Sequence, residues 1–238
     1  MDFAMPIRLL SWNIRHGGGA RVARIHAAIR VHRAEIVVLT EFRDNPPGRT
    51  LREALAADGL VHQATSAPPP RVNGVLIASS RPFSLCDEGS DVPADRHRWV
   101  TVQFADFGLT GTYFPSLHAK LPHWDYMLRI AARYANANHL VVGDFNTGKN
   151  YVDESGTVFH YGDYLDRMEA AGWPEAWRAL HPAGRQYSWY SHKGNGFRID
   201  HAYLSPRLIP ALRAARYRHR DRKNGTSDHS ALIVELEM

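Results

Sequence analysis

Cysteine is almost absent from this sequence, since Cys86 is the only one among 238 residues. One thiol excludes an intrachain disulfide and a zinc site that needs several cysteines. Long apolar runs are also missing, because none approaches the roughly 20 residues that a helix needs to span a bilayer. Residues 1–6 lack the basic and apolar regions of a secretory signal. We therefore expect a cytoplasmic protein without a membrane partner.

The charge balance is mildly basic. There are 29 lysines and arginines against 24 acidic residues, for a formal net charge of +5 and a sequence pI of about 9.5. Such an excess suits a polyanionic partner without identifying one. The 44% of hydrophobic residues can bury one sizeable core, so one domain over residues 1–238 is expected. No obligate protein partner is indicated.

Short strand-like runs dominate the chain, with amphipathic helices between them. The strand patterns cover 7–14, 35–39, 74–79, 99–104, 109–114, 140–142, 187–190, 199–204 and 231–236. Helical patterns cover 22–29, 50–57, 123–137 and 163–171, and a turn at 45–48 precedes the second of them. This mixture predicts an α+β fold in which two packed sheets are covered by helices.

Polar residues follow the first two strands at the point where each ends. Asn13 ends the first strand, and alone it is more simply explained as a cap for the next turn. Glu41 follows the second strand, where mixed sheets present ligands at the carboxyl ends of strands. Considered alone, Glu41 is explained equally well as a surface or helix-capping residue.

The block Gly143-Asp144-Phe145-Asn146 also follows an apolar strand. Strand alternation predicts that the Asp144 and Asn146 side chains point the same way. Such a pair can hold a water molecule, with the carboxylate as base and the amide as the orienting group. An Asx turn is the competing explanation, but the other polar blocks favour the functional one.

Two motif-like matches are rejected. Gly143 and Gly148-Lys149 have the spacing of a nucleotide-binding P-loop, but Asn150 replaces the Ser or Thr that binds magnesium. The His-Gly-Gly-Gly run at 16–19 is typical of a lipase oxyanion loop, but the chain has no Gly-x-Ser-x-Gly nucleophile motif. These glycines instead predict a flexible turn before the first helix.

Two further polar blocks, Asp200 and Ser227-Asp228-His229, lie beside later strands. A carboxylate bound to an imidazole fixes its tautomer and favours the imidazolium, which can contact a phosphate oxygen. The adjacent Asp228 makes a simple surface histidine a weaker explanation for His229. Tyr113 also ends a strand, although tyrosine on a strand is usually packing.

These polar blocks occur in a fixed order: Asn13, Glu41, Tyr113, Gly-Asp144-Phe-Asn146, Arg-Ile-Asp200 and Ser-Asp228-His229. Their order and spacing resemble the endonuclease/exonuclease/phosphatase superfamily, and within it the exonuclease III-like branch, over essentially the whole chain. The resemblance implies a four-layer αββα sandwich of two mixed β-sheets flanked by helices. It also implies metal-assisted hydrolysis of a phosphoester.

The resemblance implies three metal ligands, namely Asn13, Glu41 and Asp228. Carboxylate and amide oxygens suit a hard cation, so Mg²⁺ or Mn²⁺ is the expected cofactor. The usual Gln-Glu-Thr of the branch is Thr40-Glu41-Phe42 here, which is a departure next to the metal glutamate.

The resemblance also implies the catalytic roles. Asp144 orients or deprotonates the attacking water, and Asn146 positions that water. His229, held by Asp200, contacts the phosphate and its developing charge. Tyr113 lies beside the scissile phosphate.

The expected substrate is DNA with an abasic site or a 3′ end to be processed. Tyr113 lies within Tyr-Phe-Pro, as in exonuclease III-like enzymes, whereas the deoxyribonuclease I-like and phospholipase-like branches usually have a His there. Trp189, Phe197 and Ile199 fall at positions that line the pocket for a base-free sugar in abasic-site endonucleases. Such a pocket accepts a flipped-out deoxyribose and excludes a normal base. Core packing is the competing explanation for these apolar residues.

A basic run precedes the last polar block, and it comprises Arg213, Arg216, Arg218, Arg220, Arg222 and Lys223. We expect Arg218 to contact the DNA backbone, with salt-sensitive binding. A solvated basic face is equally plausible. Two other functions stay open: a phosphodiesterase or phosphatase for a small molecule or lipid headgroup, and a non-catalytic nucleic-acid-binding protein. The second is disfavoured because a pure binder gains nothing from the water-activating Asp144.

Overall fold

A computed structural model describes residues 6–238 of the chain. Its strands are β1 (Ile7–Asn13), β2 (Ile36–Phe42), β3 (His62–Thr65), β4 (Gly74–Ser79), β5 (Ser84–Leu85), β6 (Trp99–Gln103), β7 (Gly108–Tyr113), β8 (His139–Asp144), β9 (Trp189–Tyr190), β10 (Gly196–Phe197), β11 (Asp200–Leu204), β12 (Leu212–Arg218) and β13 (Ala231–Leu236). Its α-helices are α1 (Val22–His32), α2 (Pro46–Ala57), α3 (Leu121–Arg133), α4 (Asp163–Ala170), α5 (Ala176–Leu180) and α6 (Arg220–Lys223).

The strands form two mixed sheets. The six-stranded sheet has the order β12-β13-β1-β2-β4-β3, and the five-stranded sheet has the order β11-β8-β7-β6-β5. β1 and β2 run parallel in the first sheet, as do β7 and β8 in the second, and the other neighbours are antiparallel. β9 and β10 form a separate hairpin. The predicted strand at 187–190 is therefore shorter than expected.

Apolar side chains fill three layers between these elements. One layer lies between the two sheets and includes Val38. α1 and α2 cover the outer face of the first sheet, where Ile25 and Leu51 are buried. α3 and α4 cover the outer face of the second sheet, where Trp124 and Met168 are buried. The predicted αββα sandwich is confirmed.

The turn predicted at 45–48 is wrong, because α2 already begins at Pro46. Proline is tolerated in the first helical turn, where the missing N–H has no intrahelical partner. Asn45 caps the helix, since its side-chain oxygen accepts a hydrogen bond from the Gly48 N–H at 3.0 Å. The helix predicted at 123–137 likewise starts earlier and ends earlier than expected, at Leu121–Arg133.

β12 is an edge strand that was not predicted, because its sequence is part of the basic run. Ala214, Ala215 and Tyr217 are buried, while Arg216 and Arg218 are exposed. Charged side chains on an edge strand discourage pairing with another chain. No helix between residues 6 and 238 is long and apolar enough to cross a membrane.

Candidate active site

Strand direction gathers the predicted polar residues at one edge of the sandwich. The parallel strands β1 and β2 bring Asn13 and Glu41 to that edge. The parallel strands β7 and β8 do the same for Tyr113 and Asp144 in the second sheet. The antiparallel strands β11 and β13 start there, so Asp200 lies directly opposite Asp144.

Side-chain hydrogen bonds join the two sheets at this edge. They run from Asn13 Nδ2 to Asp144 Oδ2 at 2.9 Å, from Tyr113 OH to Glu41 Oε1 at 3.4 Å, and between His229 Nδ1 and Asp200 Oδ2 at 2.8 Å. In each bond one partner belongs to one sheet, and the other lies on the other sheet or, for His229, just before its strand β13. We call this edge, with Asn13, Glu41, Tyr113, Asp144, Asp200 and His229, the seam. Neither sheet alone carries all of these residues.

Asn13 lies at the centre of the seam and is fully buried. Its amide nitrogen also donates to Glu41 Oε1 at 3.1 Å, so it bridges Glu41 and Asp144. Its oxygen accepts the Arg15 N–H at 2.8 Å. The Asn13 amide nitrogen thus lies between the two carboxylates.

Glu41 is held in a strained backbone conformation, with φ of 54°. The strain coincides with a β-bulge between Thr40 and Phe42 in the pairing of β2 with β4. The bulge aims the carboxylate across the edge, where Oε2 accepts the His16 N–H at 2.7 Å and Asn73 Nδ2 at 3.0 Å. Oε1 is left facing Asn13 and Tyr113.

Tyr113 is a neutral hydroxyl in this setting. Burial, followed by the nearby Glu41 and Asp144 carboxylates, raises its pKa well above the ordinary value. The guanidinium of Arg98 lies over the Tyr113 ring at 4.9 Å from the centroid, and Asp95 fixes Arg98 through a 2.5 Å contact between Oδ2 and Nε.

Asp144 is a buried carboxyl group with an elevated pKa. Burial raises the pKa to about 7, the Asp200 carboxylate adds to the shift, and the His229 side chain opposes it. The preceding Gly143 has φ of 154°, and a Cβ atom there would lie 1.8 Å from the Thr112 carbonyl oxygen. Glycine at this position thus serves the close approach of β7 and β8. No helix follows Gly148 until α4, which agrees with rejecting a P-loop.

Asn146 is not placed by strand alternation, because β8 ends at Asp144 and Asn146 has φ of 47°. That part of the prediction is wrong. Its N–H donates to Asp144 Oδ1 at 2.9 Å, and its side-chain nitrogen donates to the Phe114 carbonyl at 2.8 Å. Lys120, only 3% exposed, donates to the Asn146 carbonyl. Asn146 is thus fixed beside Asp144 by a turn.

Asp200 and His229 form a buried pair. Burial alone lowers the pKa of His229, but the Asp200 carboxylate outweighs this effect and raises the pKa to about 10. His229 Nδ1 therefore carries a proton that it donates to Asp200. The second ring nitrogen, Nε2, is then free to donate its N–H to a bound anion. Ser227 Oγ accepts the His229 N–H at 3.2 Å and donates to the Asn13 carbonyl at 2.6 Å, so it ties His229 to β1.

The donor set at this edge fits a divalent cation. Asp228 Oδ1 is buried and has no hydrogen-bond partner within residues 6–238. A buried oxygen without a partner is expected where it coordinates a metal ion. One ligand atom from each of Asp144, Asp200 and His229 lies within 4.8 Å of the others. Glu41 and Asp228 supply carboxylate oxygens, which suit a hard ion, whereas His229 is paired with Asp200 as an imidazolium and has no lone pair for it.

The four predicted substrate residues differ in position and in burial. Trp189 and Phe197 are half-buried neighbours on the β9–β10 hairpin, with ring centroids 5.7 Å apart. Trp189 Nε1 donates to Asp228 Oδ2 at 3.4 Å, so this pair borders the seam. Ile199 is 6% exposed. Arg218 lines a cavity beside His32 on the α1 side of the first sheet.

Sequence reasoning missed Asn73, Arg98 and Lys120, which contact Glu41, Tyr113 and Asn146. Each lies in a loop or a short 3₁₀ helix. The Asn73-Gly74 pair has the appearance of an ordinary turn signal. A lysine directly before a helix gives no sign that it will be buried.

Comparisons with known proteins agree with this architecture. The sequence profile described as the Endonuclease/Exonuclease/phosphatase family matches residues 10–229. No curated protein gives a significant sequence match. An AP endonuclease from Archaeoglobus fulgidus has a similar structure, with a TM-score of 0.80 at 18% identity over 98% of this chain and 100% of that one.

Two Neisseria structures are also similar. The NExo 3′-5′ exonuclease from Neisseria meningitidis gives a TM-score of 0.81 at 20% identity, over 97% of this chain and 100% of that one. A variant of the 3′ phosphatase NExo, bound to product DNA hairpin, gives 0.80 at 19% identity, over 99% and 100%. These likenesses concern the fold. Because the profile covers residues 10–229 and the polar seam lies within it, the chain belongs to the endonuclease/exonuclease/phosphatase family.

Proposed function

We propose that this protein is a divalent-metal-dependent phosphodiester hydrolase that cleaves DNA at abasic sites or processes 3′ ends. The observation that carries the proposal is the buried Asp144, Asp200 and His229 cluster, with Glu41 and Asp228 beside it. A buried base, a paired imidazolium and a carboxylate-rich ion site are the three parts that hydrolysis of a phosphodiester needs.

Glu41 and Asp228 are the proposed principal ligands of Mg²⁺ or Mn²⁺, with Asn13 as a third ligand through its oxygen. The free Asp228 Oδ1 supports this assignment. When bound, the ion polarises a phosphoryl oxygen and stabilises the leaving oxygen. Tyr113 and Asn73 hold Glu41 in position from either side.

Asp144 is the proposed general base. A pKa of about 7 places its proton affinity near neutral pH, where a base is most effective. Asn146 binds the Asp144 carboxylate through its N–H, so the lone pair that takes the proton has a fixed direction. The water proton passes to Asp144 as the water oxygen bonds to phosphorus. The bond from phosphorus to the leaving oxygen then breaks, and that oxygen takes a proton from solvent to leave as an alcohol.

His229 and Tyr113 are the proposed phosphate contacts. The imidazolium is stable because Asp200 holds its Nδ1 proton, so Nε2–H can donate to a non-bridging oxygen. Such preorganised donors stabilise charge that develops in the transition state. Tyr113, with its raised pKa, donates as a neutral hydroxyl.

DNA is the proposed substrate because the similar structures include an AP endonuclease, a 3′-5′ exonuclease and a 3′ phosphatase with product DNA. The half-buried Trp189 and Phe197 rings beside Asp228 offer an apolar wall for a base-free sugar. An intact nucleotide would have to place its base in the space beside these rings, so the site favours a nucleotide that has no base.

The purified protein should cleave a labelled duplex with one abasic site in the presence of Mg²⁺ or Mn²⁺. EDTA should abolish the cleavage, and an intact duplex with blocked 3′ ends and bis-p-nitrophenyl phosphate should react much more slowly. Gel analysis of the labelled strands gives the rate and the cleavage position. Turnover of bis-p-nitrophenyl phosphate alone would sink the nuclease assignment in favour of a small phosphoester, and DNA binding without turnover would show a non-catalytic protein.

Substituting Trp189 with Ala should lower abasic cleavage by roughly 10- to 100-fold, because the wall that accepts the sugar is lost. Hydrolysis of bis-p-nitrophenyl phosphate should fall less than threefold. Tyr190→Ala is the matched control, since Tyr190 is the next residue of the same strand and its ring packs under Arg222 at 4.3 Å. Equal losses on both substrates for Trp189→Ala would show that Trp189 only packs.

A further inference from the structure

A basic groove lies outside the seam, on the outer face of the first sheet. Its main part is a cavity of about 490 Å³ between α1, β12 and the turn after β12, lined by Arg8, His32, Arg218 and Arg220 among others. A second cavity of about 250 Å³ adjoins it along α1 and includes Arg24. His32 and Arg220 belong to both walls, so the two cavities form one groove.

The charges of the groove are only partly neutralised. Arg8 pairs with Glu235 at 2.8 Å, and His32 contacts Asp221 at 3.2 Å. Within residues 6–238, by contrast, the guanidinium groups of Arg218 and Arg220 have no ion pair and no hydrogen bond. Two unpaired guanidinium groups in a concave surface form a binding site for phosphate oxygens.

The groove leads toward the catalytic edge. Its second cavity has Thr226 in its wall, and Thr226 directly precedes Ser227-Asp228-His229. Arg21 donates to the Thr226 carbonyl at 2.6 Å and to the Arg15 carbonyl at 2.6 Å, and Arg15 Nε lies 4.0 Å from Asp228. Positive side chains thus continue from the groove to the proposed metal ligand.

The groove also has the right length for a nucleic acid strand. The stretch of α1 from Arg24 to His32 spans about 12 Å at 1.5 Å per residue. A DNA strand carries one phosphate per nucleotide, so this stretch is long enough to contact more than one phosphate of a bound strand.

We propose that this groove is a second binding site for the sugar-phosphate backbone of the DNA strand, outside the catalytic seam. This inference rests on the proposed function for the identity of the ligand. Arg218 and Arg220 are the principal contacts, and they bind the strand beyond the reacting nucleotide. The groove therefore contributes to the affinity for long substrates and leaves the chemical step unchanged.

Anisotropy of a fluorescent abasic duplex in EDTA measures binding without cleavage. Arg218→Gln/Arg220→Gln should weaken binding about tenfold at low salt and reduce the slope of log affinity against log salt by about 1.8, for two lost phosphate contacts. Hydrolysis of bis-p-nitrophenyl phosphate should be unchanged. Arg218→Lys/Arg220→Lys keeps the charge and should retain most of the salt slope.

The matched control is Arg207→Gln/Arg213→Gln, which removes the same charge outside the groove. Arg213 lies on the same strand as Arg218, and its guanidinium pairs with Glu237 at 2.5 Å. The guanidinium of Arg207 contacts the Asn136 carbonyl. Equal weakening in both double variants would reduce the effect to net charge and overturn the groove. If Arg218→Gln/Arg220→Gln binds the abasic duplex as tightly as the wild type and cleaves it normally, this inference alone is overturned. If the wild type does not bind DNA at all, the inference and the proposed function are both overturned.

Discussion

Asp144→Asn should lower phosphodiester hydrolysis by roughly 100- to 10,000-fold, the usual contribution of a positioned general base. The amide keeps the size of the carboxylate and can accept one of the two hydrogen bonds that Asn13 and Asn146 donate, but it cannot take the water proton. The same variant should be more stable than the wild type in metal-free buffer. Loss of function and gain of stability therefore arise from one atom.

The stability effect follows from the sign of the pKa shift. The folded-state pKa of Asp144 is raised to about 7 from an ordinary 3.8, so the folded state binds this proton more tightly than the unfolded state. Stability from Asp144 falls as pH rises from about 4 to 7, by up to roughly 4 kcal/mol. At pH 8 the wild type carries the whole cost of a buried charge, and Asp144→Asn does not.

Thermal unfolding in EDTA at pH 8 and pH 4 measures this difference. The variant should melt higher at pH 8 and close to the wild type at pH 4. Added Mg²⁺ should narrow the gap at pH 8, because a bound cation stabilises the wild-type carboxylate. A variant that melts lower at pH 8, or hydrolyses DNA at a near-normal rate, would contradict the assignment of Asp144 as a destabilised base.

His229→Ala should also remove most activity, by roughly 100- to 1,000-fold, because the charge that stabilises the transition state is lost. In contrast to Asp144→Asn, this variant should lose stability, by about 3–5 kcal/mol, because Asp200 is left buried without its partner. Circular dichroism should still show the native fold at 25 °C, with a lower melting temperature.

The double variant His229→Ala/Asp200→Asn separates the two effects. Replacing the orphaned carboxylate with an amide should recover much of the stability and none of the activity. The pH profile adds a second measurement: the raised His229 pKa contributes stability that is fully present below about 6.5 and is lost as pH rises through about 10. An active double variant, or a single variant as stable as the wild type, would refute the pairing of His229 with Asp200.

Much of the fold could be predicted because the central strands are buried on both faces. Such strands have continuous apolar sequences, as in β4 and β13, where all six residues are buried. β12 was missed because its arginines alternate with small residues on an edge strand, which looks like a charged segment. α2 was shortened because two prolines look like a turn, although they also fit a first helical turn.

The site could be predicted where polar residues lie at the ends or the starts of strands. Asn13, Glu41 and Asp144 follow apolar runs, and the sheet order then brings them together. Asn73 and Lys120 come from outside the strands, and tertiary packing alone determines their positions. For the same reason the turn that places Asn146 beside Asp144 was not foreseen from strand alternation.

The seam between the sheets couples catalysis to the integrity of the sandwich. A substrate bound there touches residues from both sheets, so it binds the assembled form and has no comparable site in a chain whose sheets have separated. By mass action, a ligand at 100 times its dissociation constant stabilises such a form by about 2.7 kcal/mol. A bound phosphoester substrate would thus protect the protein from unfolding and from proteolysis.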